Sequence, residues 1–157
     1  MSDNRIGISF NIEQGIYSVL CSMFQNLDVT QFVWLNALSQ TEVYGFDDFN
    51  REEAIFTESF YSGKEFLNEI KKNYLVLNLK IGAFKFEKDR RRIHSYKDFL
   101  DSGCEILLLI YDAENVEIFI KNKKILDLIY QNAAINHYKD IKYITDSDNH
   151  RYIMDIR

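Results

Sequence analysis

The chain has 157 residues, about one domain's length, and its 46% hydrophobic, 15% aromatic and 27% charged residues are a globular balance rather than a disordered one. A net charge of −5 disfavours nonspecific adhesion to nucleic acid or to an anionic membrane. The absence of proline excludes PxxP ligands and cis-proline turns.

Arg5–Ile12 reads as a first strand, with Ile6, Ile8, Phe10 and Ile12 on one face. Asn11 and Gln14 have capping-box spacing ahead of a helical stripe of Ile16, Val19, Leu20, Met23, Phe24 and Leu27. Gln31–Leu38 is apolar enough for a second strand, and Thr41–Phe46 is expected to pair with it. The acidic stretch 47–58 lacks a period and reads as a loop with one helical turn near Arg51–Ile55. Ser62 and Glu65 form a capping box, with Tyr61 and Phe66 placed as a hydrophobic staple, for a helix that ends at Lys71-Lys72-Asn73.

Tyr74–Phe86 follows as a strand whose alternation slips near Gly82, the mark of a bulge. Ser95 and Asp98 open a short helix, with Gly103 placed as its C′ residue. Glu105–Tyr111 and Val116–Lys121 flank the turn Asp112–Asn115 as a hairpin. The run Ile106–Ile110 is apolar on both faces, which calls for a central strand covered on both sides. Lys123–Asn136 is a helix, and Ile141–Thr145 with Tyr152–Ile156 suggests a closing hairpin around Asp146–His150. Hairpins outnumber βαβ units, so the expected fold is a single α+β domain over residues 1–157, a mixed, mostly antiparallel sheet with about four helices packed on it.

Few residues are arranged for chemistry. The three histidines, His94, His137 and His150, lie outside ligand spacing of one another or of a cysteine, so no metal or other cofactor is expected. Asp146-x-Asp148 resembles the start of a calcium loop, but Arg151 occupies the position that needs glycine, and a polar turn is the simpler reading. Cys21 in a helical stripe and Cys104 at the head of an apolar strand look like small buried hydrophobes. There is no Gly-x-Ser-x-Gly elbow and no glycine-rich phosphate loop, so no catalytic residue is assigned. An N-terminus without an apolar core, and a longest apolar run of only Ile106–Tyr111, make the cytoplasm the expected compartment, with no membrane span.

The net charge hides a polarity. From Glu42 to Glu58 six acids (Glu42, Asp47, Asp48, Glu52, Glu53, Glu58) face one base, Arg51. From Lys80 to Lys97 seven bases (Lys80, Lys85, Lys88, Arg90, Arg91, Arg92, Lys97) face Glu87 and Asp89. The acidic stretch carries aromatics such as Phe49, the composition of a protein-binding surface, so Glu42, Asp47, Asp48, Phe49, Glu52 and Glu53 are the expected partner contacts. The concrete version is a non-catalytic, immunity-type inhibitor that steers onto the basic site of a toxin. The alternative is a small enzyme or ligand-binding domain gripping a phosphorylated or other anionic ligand with Arg90, Arg91, Arg92 and His94. Its discriminating feature is a concave pocket where these side chains meet a carboxylate or Cys104; a flat, solvated loop would speak against it.

Three segments carry a resemblance: Arg5-Ile-Gly-Ile-Ser-Phe-Asn-Ile12; Cys104–Asp112 with Glu117-Ile-Phe-Ile120; and Tyr143–Asp148 with Arg151. In pattern and order the chain resembles domain-of-unknown-function family 2691 over nearly its whole length. The resemblance implies a bacterial cytosolic protein and brings no catalytic residue to transfer. Asn11 stands where that pattern has an acid, and Gln31–Phe60 departs from it.

Overall fold

The computed structural model describes residues 4–148 and 154–156. Among these residues nine strands and four helices follow in the order β1 (Arg5–Asn11), α1 (Val19–Met23), β2 (Val33–Asn36), β3 (Glu42–Phe46), β4 (Glu52–Glu53), β5 (Phe60–Tyr61), α2 (Gly63–Ile70), β6 (Asn73–Phe84), α3 (Tyr96–Asp101), β7 (Cys104–Tyr111), β8 (Asn115–Ile120), α4 (Lys123–Ile135) and β9 (Lys139–Thr145). The sheet order is β4-β3-β6-β7-β8-β1-β9, with β2 joining β5 to β6, and every pairing is antiparallel. The α+β class expected from the hairpin-rich pattern is the observed one.

The sheet has two covered faces because its central strands are apolar on both sides. Ile106, Leu108 and Ile110 join Leu79, Ile81 and Ala83 on the larger face, under Leu20, Met23, Phe66, Ile70, Leu126 and Ile129 from α1, α2 and α4. Leu107 and Leu109 join Phe84 and Phe119 on the other, under Phe99 of α3, Ile93 and Met154. Burying such side chains contributes about 1.5–3 kcal/mol each. Two buried amides tie the larger face together: Asn132 donates to the Met23 and Gln25 carbonyls, and Asn36 donates to those of Phe56 and Glu58.

The local expectations hold where a cap or turn residue decides. Ser62 and Glu65 make both bonds of the capping box, and Asp112 and Ala113 take positive φ in the β7–β8 turn. The register shift in β6 falls between Ala83 and Phe84, beside Gly82.

Several expectations are corrected. β1 runs through Asn11, so Asn11 caps nothing; α1 starts after Ser18, whose hydroxyl donates to the Lys72 carbonyl. Ile16 is consequently half exposed. The stretch after Asp47 is a hairpin rather than a helical turn, because Asp47 Oδ1 accepts from the Phe49 and Arg51 N–H groups and Asn50 takes positive φ. Gly103 has no positive φ, so it does not end α3 as a left-handed residue. A Cβ there would lie 3.0 Å from Asp89 Cβ, so close approach is what favours glycine. Of the expected last strand, Tyr152 and Ile153 lie outside the described residues, and Met154–Ile156 form no strand.

β2 and β3 do not pair with each other. Both run antiparallel to the 12-residue β6, β2 against Ile81–Phe84 and β3 against Asn73–Asn78. They behave as one strand interrupted between Asn36 and Glu42, where Leu38–Gln40 form a 3-10 turn. Five residues, 37–41, thus pass only Leu79 and Lys80 of β6. The chain must bulge outward there, and the bulge opens a space over Lys80.

Candidate functional site

That space is a cleft of about 60 Å³, enough for a few water molecules or a small anionic group. The interrupted strand supplies Leu35, Ala37, Ser39 and Gln40, and the segment after β6 supplies Arg91, Arg92, Ile93 and His94. Lys80, Gly82 and Phe84 of β6, Leu107 of β7 and Asp155 complete it. Among the described residues, three permanent cations therefore line the cleft against one carboxylate.

Lys80 lies on the smaller-core face of β6, opposite Leu109, and is 5% exposed. A buried ammonium needs both hydrogen-bond partners and a counter-charge. Its Nζ donates to the Ile93 carbonyl and, at 2.6 Å, to Asp155 Oδ1. His94 Nδ1 lies 3.1 and 3.2 Å from the two Asp155 oxygens. In that contact Nδ1 carries the proton and donates to the carboxylate. Burial raises the Asp155 pKa, but the bonds from Lys80 and His94 outweigh it and hold the group below the usual carboxylate range.

The basic segment is pinned at several points. Ile93 is buried in the smaller core. Asp98 Oδ2 accepts from the His94 N–H, and its Oδ1 lies 3.5 Å from Arg91 Nη2. The bond from the His94 N–H is the main reason the Asp98 carboxyl lies below its ordinary pKa. The Met154 N–H donates to the His94 carbonyl at 2.6 Å. Of the four residues expected to bind anions, Arg91, Arg92 and His94 line the cleft, whereas Arg90 stacks over the Phe60 ring at 4.0 Å. Lys80 and Asp155 were not singled out by the sequence as site residues. Lys80 had a signal: it is the one charged residue of β6, next to the alternating Leu75, Leu77, Leu79 and Ile81.

The acidic residues gather elsewhere. Asp47 holds the β3–β4 turn through the two N–H groups and through Arg51 Nε at 2.9 Å. Phe49, next to Asp48 at the turn, is 78% exposed, with the Arg51 guanidinium 5.1 Å from its ring centre. Glu42 accepts from Asn78 Nδ2, Glu53 lies 3.9 Å from Lys72 Nζ, and Glu52 is exposed. Cys104 is buried, its thiol donating to the Ile106 carbonyl, and burial pushes its pKa up to about 12. It is not a nucleophile in this state. Among the described residues no group of three or more His, Cys, Asp or Glu side chains could hold a metal ion, and no helix is long and apolar enough to cross a membrane.

Fold and cleft together define a small α+β protein built on an antiparallel sheet, with a basic cleft at an interrupted strand. The chain belongs to the family described as "Protein of unknown function (DUF2691)", whose model matches residues 5–155. It is 30% identical over 147 residues to the uncharacterized protein YncE of Bacillus subtilis (strain 168), spanning 92% of this chain and 95% of that protein. No solved structure matches it.

Proposed function

We propose that the chain is a binding protein for a small anionic ligand, carboxylated or phosphorylated, taken up at the cleft of Lys80, Arg91, Arg92 and His94. The observation that carries this reading is the convergence of these side chains, from β6 and from a pinned segment, on one concave space. A solvated basic loop would spread its charges; this one presents two exposed guanidiniums beside a buried ammonium. Guanidiniums match the oxygens of phosphate and carboxylate in pairs. Two charge-assisted contacts of about 1.5–3 kcal/mol each put a bare anion at a Kd on the order of 1 mM. Further contacts from a larger ligand would tighten it. A cytoplasmic setting suits such a ligand.

Calorimetric titration with inorganic phosphate, acetate and their larger esters and acids tests the reading. The expected outcome is one saturable site that weakens about tenfold or more in Arg91→Ala/Arg92→Ala at an unchanged thermal midpoint. Absence of saturable binding across the panel would refute it.

A second reading is favoured by the exposed Phe49 at the acidic turn: capture of a basic protein partner, with an immunity-type role as its specific form. An aromatic anchor ringed by carboxylates combines a hot spot with electrostatic steering. Reversing Asp48, Glu52 and Glu53 tests it while leaving the turn-holding Asp47 in place. Partner capture that survives this reversal at low salt would eliminate the reading.

A further inference from the structure

We infer that Asp155 is an internal ligand: its carboxylate occupies the innermost anion position of the cleft, and an external anion gains full access only in competition with it. The inference deepens the proposed anion-binding reading. The carboxylate is held as a bound anion would be. Lys80 Nζ donates to one oxygen at 2.6 Å, and His94 Nδ1 lies within 3.2 Å of both. The segment around it is seated like a short peptide: Met154 is fully buried in the smaller core, and its N–H donates to the His94 carbonyl. Asp155 lies 61 residues beyond His94 and 75 beyond Lys80 in sequence, so this contact is tertiary and not a local turn.

The backbone that carries Lys80 and His94 is held largely by other contacts. The Lys80 backbone is fixed in β6 opposite Leu109, its Nζ also donates to the Ile93 carbonyl, and His94 is held by the buried Ile93 beside it and by Asp98. Taking the carboxylate away therefore leaves the buried Lys80 ammonium without its counter-charge, in a space an added anion can fill. It also fixes the chemistry of the inner position, which takes a carboxylate-sized anion, while the exposed Arg91 and Arg92 contact whatever extends outward.

Chemical rescue tests this. Asp155→Asn removes the charge and nearly keeps the shape. Its thermal midpoint is expected to fall without added anion and to rise steeply with acetate or phosphate, at concentrations at least tenfold below those that move the native midpoint. If the variant is unfolded without anion, the readout is refolding on adding acetate. In Lys80→Met/Asp155→Asn, which has no buried cation to satisfy, anion sensitivity is expected to return to the native level or below. Equal anion sensitivity of native protein and Asp155→Asn, or no rescue or refolding of the variant, would overturn the inference. A native protein that fails to bind phosphate or acetate defeats the proposed function alone, because the rescue of Asp155→Asn is read separately.

Discussion

Asp155 is the residue on which the site's electrostatics turn, and its depressed pKa makes an observable consequence. A carboxyl whose folded pKa lies below its unfolded value of about 3.9 contributes stability that is fully present above that value. The contribution is lost as pH falls through the folded value. Near neutral pH the native protein should exceed Asp155→Asn in stability by about 3 kcal/mol, the scale of leaving a buried ammonium, here Lys80, without its partner. The gap should start to close below about pH 4. Urea unfolding of both proteins between pH 7 and 2 measures it, and a pH-independent gap would contradict the assignment. Cys104 gives a second test at this scale. Buried, with its thiol raised to about 12, it should resist alkylation in the folded protein and react only on unfolding. Timed iodoacetamide labelling with mass spectrometry reads this directly.

At the scale of elements, legibility followed the presence of a local, directional cue. Ser62 with Glu65, Asn122 before Lys123, and Asp112 with Ala113 place helix starts and a turn within a residue or so of where sequence patterns put them. Ser62→Ala should cost about 1 kcal/mol, the usual value of an N-cap, and chemical denaturation can measure it. The misread elements depend on pairing, which has no local cue. Asn11 has capping-box spacing, yet it pairs with Asn115 of β8 and Lys139 of β9, and the ladder overrode the cap. β2 and β3 are adjacent in sequence and look like a hairpin. The long β6 instead offers each a separate stretch, and the turn between them carries the bulge that opens the cleft. Gly45 fits the same logic: a Cβ there would come within 2.6 Å of the Glu53 carbonyl, so the short β4 can pair only against glycine.

At the scale of the whole molecule, the charge polarity seen in the sequence resolves into two distinct places. The acids decorate a hairpin at one end of the sheet, while the basic segment folds over the smaller core beside Lys80 and the C-terminal residues. Composition located the basic cluster, and Arg91, Arg92 and His94 were legible as candidates. Asp155 was not, because its importance comes from a contact across 75 residues that no spacing rule encodes. The central claim, an anion-binding cleft, is tested most directly by following the ring resonances of His94 by NMR while inorganic phosphate is added. The expected result is a saturable shift confined to His94 among the three histidines, needing about tenfold or more phosphate in Arg91→Ala/Arg92→Ala. A His94 signal that does not move, or that moves equally in the double variant, would contradict it.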